Sequence, residues 1–281
     1  HPNAEGARLF ASDAHSDEWF GTSLSLSGDS VLVGAFGVNH PGIGWDAGSA
    51  YVFVRTTAGW SEQVELLASD AAAGDWFGNS VALSGDTAVV GAWLADTAVG
   101  LAAGAVYVFE RSGTTWTERA KLTASDGAPS DHFGSSLALS GDTLLVGAYS
   151  ADLAGGLVDA GAVYVFVRTP AGWSEQAKLI ASDAANGKQV GASVALSGDT
   201  AVINGHMYRH GDTFPGPVYV FVRSGTSWSE QAKLKPSHVT SDFGAAVAIE
   251  GDTVLVGAPK LSVNTLFPQN EAGHEYVFER V

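Results

Sequence analysis

The side chains best suited to chemistry crowd into one stretch, Ile203-Asn204-Gly205-His206-Met207-Tyr208-Arg209-His210, with Asp212 two residues further on. Imidazole and carboxylate donors suit zinc or copper, which makes His206, His210 and Asp212 a candidate metal set. Histidines four apart share a face only on a helix, and the surrounding residues lack helical periodicity, so the spacing supplies no preformed site. Without a metal, His206, Tyr208, Arg209 and His210 are candidate polar contacts for a ligand. The plainer reading is a divergent loop in which Met207 and Tyr208 cover a sheet edge. Trp45 and Trp93 are the other candidates, because an exposed indole stacks on a sugar while neighbouring carboxylates and amides bond its hydroxyls. Neither tryptophan has an evident counterpart elsewhere in the sequence.

Carboxylates also recur: Asp13, Asp70, Asp126 and Asp183 in Ala-Ser-Asp, and Glu18, Asp75 and Asp131 a few residues on. Ser-Asp pairs cap turns through the neighbouring backbone. The alternative is a rim of carboxylates that would hold a cation or sugar hydroxyls. Glycoside hydrolysis needs two carboxyl groups at set separations. The alternating runs that would line a central site read TSLSLSG, NSVALSG, SSLALSG, ASVALSG and AAVAIEG, and Glu250 is their one carboxylate. No Ser/His/Asp order, phosphate loop or His-Glu-x-x-His motif occurs. These residues point to binding rather than catalysis. The enzymatic alternative is a glycan-active site using rim carboxylates with His206 or His210.

The elements that must position these groups come from one pattern written five times. A corner at Phe20-Gly21 recurs at Phe77-Gly78, Phe133-Gly134, Val190-Gly191 and Phe243-Gly244. An alternating run follows each corner and ends in Gly-Asp at Asp29, Asp86, Asp142, Asp199 and Asp252. Val-Gly-Ala or a variant comes next, then a variable stretch, then Tyr-Val-Phe at Tyr51, Tyr107, Tyr164, Tyr219 and Tyr276. Four copies close with a tryptophan (Trp60, Trp116, Trp173, Trp228) and a segment like SEQAKLIASD. Four short runs rich in Val, Tyr, Phe, Leu and Thr, separated by turn residues, read as four strands. Gly-Asp between the first two suits a type II′ hairpin turn. The repeated four-stranded unit predicts an all-β, five-bladed β-propeller of four-stranded antiparallel blades. The fifth copy stops before its tryptophan strand, and residues 6–13 match the missing piece, so the N-terminal strand is expected to complete the last blade and close the ring. This makes one domain over residues 1–281, with blades at roughly 14–70, 71–126, 127–183, 184–238, and 239–281 plus 6–13. Variable loops at 36–48, 93–103, 149–160, 204–216 and 259–273 share one end of the blades, the natural place for binding residues.

The pattern FGxSVALSGDTxxVGA…GAVYVF resembles the FG-GAP repeat of integrin α-subunit headpieces and of secreted or surface bacterial proteins. The resemblance covers essentially the whole chain. It implies a secreted or cell-surface, non-catalytic binding or adhesion module whose ligand is a glycan or a protein, or a spacer domain. Several integrin-type repeats carry a calcium loop of the form Asp-x-Asp-x-Asp-Gly; here that place holds Ser-Gly-Asp-Thr or a close variant. One carboxylate cannot supply the six to eight oxygens that calcium takes, so no cofactor is expected and Asp29, Asp86, Asp142, Asp199 and Asp252 read as turn-formers.

Composition bounds the partners. The chain of 281 residues carries 30 acidic and 14 basic side chains, a net charge of −16, which repels nucleic acid and anionic lipid. It has no cysteine, which excludes disulfides and thiolate metal sites. No apolar run reaches the length of a membrane-spanning helix. The start, His1-Pro2-Asn3-Ala4-Glu5-Gly6, lacks the charged and apolar regions of a signal peptide, as expected of a cytosolic chain, of a mature form or of a trimmed one.

Overall fold

Each repeat folds into one antiparallel sheet because its apolar runs are separated by turns that reverse the chain. In the computed structural model, described for residues 7–205, the backbone of 207–209 and 212–214, and residues 216–236, 243–259 and 274–279, the chain is an all-β, five-bladed β-propeller. Blade one holds β1 (Ser23–Ser27), β2 (Ser30–Ala35), β3 (Ser49–Thr56) and β4 (Gly59–Leu66), hydrogen-bonded in that order. Blade two repeats it with β5 (Phe77–Ser84), β6 (Thr87–Ala92), β7 (Ala105–Ser112) and β8 (Thr115–Leu122). Blade three has β9 (Phe133–Ser140), β10 (Thr143–Ala148), β11 (Ala162–Thr169) and β12 (Gly172–Leu179). Blade four has β13 (Val190–Ser197), β14 (Thr200–Gly205), β17 (Val218–Ser224) and β18 (Ser227–Leu234). Between its second and third strands lies a separate hairpin of β15 (Met207–Arg209) and β16 (Asp212–Phe214). Blade five has β19 (Ala246–Glu250), β20 (Thr253–Ala258) and β21 (His274–Glu279).

The described fifth sheet holds three strands. The strand expected from residues 6–13 falls partly outside the described residues, and residues 7–11 are not in a strand. Leu9 and Ala11 pack instead on the core of blade one, with Val33, Tyr51 and Phe53. By packing, the chain divides into two compact units, His1–Leu122 with blades one and two, and Thr123–Val281 with blades three to five.

Both kinds of hairpin lie at one end of each blade, here called the turn end. Ser27 pairs with Ser30 across Gly28-Asp29, where Gly28 has φ +57°, the value a type II′ turn requires and one that glycine adopts without strain. The turn aspartates do more than shape the hairpin. Asp86 Oδ1 accepts from Arg111 Nε at 2.7 Å, the Arg111 guanidinium lies over Trp116 at 5.3 Å, and its other arm reaches Ser30 of the preceding blade at 3.0 Å. Asp199, Arg223, Trp228 and Thr143 repeat the arrangement in the second unit.

The opposite, loop end holds the corners. Phe77 is fully buried in the core shared by blades one and two, edge-on to Tyr107 and Phe109. The corner brings two backbones into contact: a Cβ on Gly34 would meet the Gly78 carbonyl oxygen at 1.9 Å, so the Val-Gly-Ala glycine is a packing requirement. The Ala-Ser-Asp segments that leave β4, β8 and β12 then clip onto the following blade. Ser69 donates from N and Oγ to the two carboxylate oxygens of Glu118, and Ser125 and Ser182 do so to Glu175 and Glu230. Ser12 makes the same pair of bonds to Glu62, so the N-terminal segment serves blade one as an outer-strand exit serves the next blade.

Candidate functional site

The rim carboxylates resolve into two structural groups. Asp75 and Asp131 accept from the amides of Ala72 and Ala128, and Glu18 accepts from that of His15, each closing its own turn. This is the capping role expected of them. Burial pushes the Asp75 and Asp131 carboxyls above the usual range. The Ala-Ser-Asp aspartates instead face buried tyrosines: Tyr107 OH donates to Asp70 at 2.8 Å and Lys121 Nζ pairs with it at 2.6 Å. Tyr164, Asp126 and Lys178 form the same triad. Partial burial alone would raise Asp70 and Asp126, but the lysine and tyrosine bonds outweigh it and hold both below the ordinary value. In blade four Asp183 receives two lysines, Lys233 and the buried Lys188, together with Tyr219, and is held lower still. Blade one departs from this: Glu65 stands where the others have lysine. Its carboxylate accepts from Ser49 Oγ at 2.5 Å, and His40 Nε2 lies 2.9 Å from that hydroxyl.

The aromatic side chains form a feature of a different kind. The residue before the corner and the residue after Val-Gly-Ala lie at the same end of the β1–β2 and β5–β6 hairpins, opposite the Gly-Asp turns. In the first unit this places Trp19, Phe36, Trp76 and Trp93 in one row. Trp19 stacks on Phe36 at 5.7 Å and 13°, Phe36 on Trp76 at 4.7 Å and 26°, and Trp76 meets Trp93 at 5.7 Å and 55°. Phe36 is thus sandwiched, while Trp19 at the end of the row is 63% exposed. In the second unit the same two positions hold His132 and Tyr149, stacked at 5.1 Å; burial lowers the His132 pKa and raises that of Tyr149 to about 12. Trp19 and Trp76 have φ of 57° and 58°, and His132 and Gln189 share the left-handed conformation. That geometry costs a bulky residue on the order of 1–3 kcal/mol, which the packed corner must hold in place.

Trp93 therefore has counterparts, Phe36 and Tyr149, which share its position in the repeat but not its residue type. Trp45 has them too. Its loop docks on the next corner through main-chain bonds, Gly74 N to Trp45 O at 2.9 Å and Trp76 N to Asp46 O at 3.2 Å; Val158 and Asp159 make the same bonds to Gly187 and Gln189. Loop register puts Leu101 at the matching place in blade two. All three tips are solvent-exposed: Trp45 78%, Leu101 71% and Val158 52%. The signal available in the sequence was position, counted forward from Val-Gly-Ala for Trp93 and back from the tyrosine of Tyr-Val-Phe for Trp45, rather than residue identity.

Of the other sequence candidates, His206 and His210 lie outside the described residues. Tyr208, Arg209 and Asp212, expected in an irregular loop, belong to the β15–β16 hairpin, in which Tyr208 pairs with Thr213 and Arg209 with Asp212. The flanking Asn204 is structural: it is 1% exposed, accepts from Ser193 N and donates to the Gly244 carbonyl. Among the described residues no three His, Asp or Glu side chains converge as a metal set, and no helix is long and apolar enough to cross a membrane.

The family profile described as FG-GAP repeat matches residues 4–53, 60–109, 116–166, 173–221 and 228–278. Among solved structures, the one titled "Structure of YjhT" is similar with a TM-score of 0.50 and 14% identity, over 86% of this chain and 73% of that one. At that identity the likeness speaks for the fold alone. No curated protein matches the chain.

Proposed function

The chain belongs to the FG-GAP repeat family, and on that premise we propose that it is a non-catalytic binding module acting outside the cell. Its ligand is a protein that docks on the loop ends of blades one and two. The observation that carries this reading is the pair of exposed apolar tips, Trp45 and Leu101, at one loop position in neighbouring blades and beside the aromatic row. Solvent-exposed apolar side chains held on loops anchored to a rigid sheet are the usual core of an interface. Net charge of −16 selects against acidic partners. The described inner strands support binding over hydrolysis, since Glu250 at a turn end is their one carboxylate and hydrolysis needs two.

A glycan is the second reading, and Trp19 is what favours it. Stacking covers both faces of Phe36, so the row presents the outer face of Trp19 as its free sugar platform, with Trp45 as an exposed indole on the neighbouring loop. The two readings separate experimentally. Screening the chain on glycan arrays and on panels of extracellular proteins, with the Trp45→Ser/Leu101→Ser double variant and with Trp19→Ala, gives a protein hit lost with the first if the leading reading holds. A glycan hit lost with Trp19→Ala establishes the second. Turnover of a polysaccharide by the purified chain would defeat both.

A further inference from the structure

Three blades place an ammonium group on a buried tyrosine at the loop end. In blade two Tyr107 pairs across the sheet with Lys121, whose Nζ lies 5.2 Å from the centre of the Tyr107 ring and 2.6 Å from Asp70 Oδ2. In blade three Tyr164 pairs with Lys178, at 4.9 Å from the ring and 2.8 Å from Asp126 Oδ2. In blade four Tyr219 pairs with Lys233, which bonds Asp183 and lies 5.3 Å from the ring. Ring face and carboxylate thus form one recurring seat for an ammonium. The tyrosine hydroxyl fixes the carboxylate by donating to its other oxygen. Such a cation is held twice, by the ring quadrupole and by a charge-assisted hydrogen bond.

Blade one keeps the tyrosine and the aspartate and reverses the third charge. Tyr51 pairs across the sheet with Glu65, and its hydroxyl lies 3.1 Å from Asp13 Oδ1 and 3.4 Å from Glu65 Oε1. Burial, and then the two carboxylates, push the Tyr51 pKa well up, so one phenol proton serves two acceptors. Carboxylates brought this close repel each other unless a cation joins them. The other basic side chains paired in blades one and two are committed elsewhere: Arg55 to Asp29, Arg111 to Asp86, Arg119 to Glu110 and Lys121 to Asp70. Among the described residues, the basic group that approaches this pair is His40, with Nε2 3.8 Å from Glu65 Oε1. Asp13 is exposed and the Glu65 side chain is 27% exposed, so both carboxylates can be reached from solvent.

We propose that Asp13, Glu65 and Tyr51 of blade one bind a primary ammonium group supplied from outside the chain. Its nitrogen donates to both carboxylates, as Lys121 and Lys178 donate to Asp70 and Asp126 in the neighbouring repeats. The equivalent seats hold lysine ammoniums, a compact charge with three N–H donors, which suits two carboxylates at once. A divalent metal is less suited, because among the described residues no three His, Asp or Glu side chains converge as a metal set. A primary ammonium comes from a lysine side chain of a polypeptide or from a small free amine. The site stands on blade one alone and does not depend on the docking surface proposed above.

The probes are n-butylammonium chloride and the peptide acetyl-Gly-Lys-Gly-amide, each titrated into the isotope-labelled full chain at neutral pH and constant ionic strength, with NMR as the readout. Saturable shifts of the Ser49, Tyr51 and Glu65 amides are expected. Tetramethylammonium, which has no N–H to donate, should bind on the order of tenfold more weakly or worse. Glu65→Gln gives up one charged acceptor and should weaken butylammonium binding on the order of tenfold or more. Glu65→Lys, which gives blade one the pair its sister blades carry, should abolish it. Tighter binding of the peptide than of butylammonium assigns the ammonium to a polypeptide lysine; equal or weaker binding assigns it to a free amine. Absence of saturable shifts, the same shifts with sodium chloride, or undiminished binding by either Glu65 variant would each overturn the proposal.

Discussion

The side-chain amide of Asn204 donates to the main-chain carbonyl of Gly244 in the next blade at 2.8 Å, a bond that serine hydroxyls make elsewhere. Ser23 reaches Gly78 O at 2.8 Å and Ser136 reaches Gly191 O at 2.7 Å. Asn204→Leu would leave that buried carbonyl and the amide of Ser193 without their partner, at about 1–3 kcal/mol. Asn204→Gly should cost less, because Ser193 stands where Ser23 and Ser136 stand and can take over the bond. Chemical denaturation of the two variants checks the order; equal losses would show that the amide bond is not what stabilises this blade.

The glycine of Val-Gly-Ala admits no side chain. Gly34→Ala sets a Cβ 1.9 Å from Gly78 O, and Gly147→Ala sets one 2.1 Å from Gly191 O, both against backbone of the neighbouring blade. Each should cost about 3 kcal/mol or more. Gly28→Ala is the control, since its Cβ meets nothing within 4 Å and only its φ of +57° is unfavourable. It should cost about 1–2 kcal/mol. Thermal unfolding ranks the three.

The two groups of rim carboxylates should shift the pH dependence of stability in opposite directions. Burial raises the folded-state pKa of Asp75 and Asp131, so their contribution is present below the unfolded value of about 3.9 and is lost as pH rises through the folded pKa. Asp75→Asn keeps the acceptor for Ala72 N and removes the buried charge. Its Tm should exceed that of the parent at pH 7, with the difference vanishing in acid.

For Asp70, Asp126 and Asp183 the sign reverses. Their folded pKa is depressed, so the contribution is present above about 3.9 and is lost as pH falls through the folded value. Asp183→Asn, which gives up both Lys188 and Lys233, should lower Tm at neutral pH and converge with the parent in acid. Melting curves from pH 8 down to about pH 2 on this variant and Asp75→Asn, with Asp183→Asn closing on the parent only at the acid end, would reveal curves of the same sign if this assignment is wrong.

Two arginines at equivalent places should differ in worth. Arg111 is held by Asp86, lies over Trp116 and bonds Ser30 of the preceding blade, with its side chain 20% exposed. Arg55 pairs with Asp29 over Trp60 at 57% exposure. Arg111→Ala should cost about 1–2 kcal/mol and Arg55→Ala under about 1 kcal/mol. Urea midpoints with unchanged slopes would measure both.

The blades were legible in the sequence because each repeat states its strands and turns locally: Gly28-Asp29 and its four equivalents reverse the chain wherever they occur. The aromatic row was not, because its members alternate between blades. Phe36 closes the second strand of blade one, yet one of its two ring contacts is Trp76 from the corner of blade two. Trp45, Leu101 and Val158 share a position and no chemistry beyond being apolar, so residue type does not reveal their equivalence. In the sequence His206 follows Asn204-Gly205 as Phe36 follows Gly34-Ala35.

The Ser69–Glu118 clip has a consequence for how such a protein is inherited and recombined. Ala68, Ser69 and Asp70 follow the outer strand of blade one in the chain but make their contacts with blade two. The boundary between the two compact units keeps the same phase, handing Ala124, Ser125 and Asp126 to the blade they grip. A duplication or graft cut after the latch, between Asp70 and the corner at Phe77, would sever each copy from its own latch. One cut just after the closing leucine, at Leu66 or Leu122, would carry latch and blade together as an exchangeable cassette.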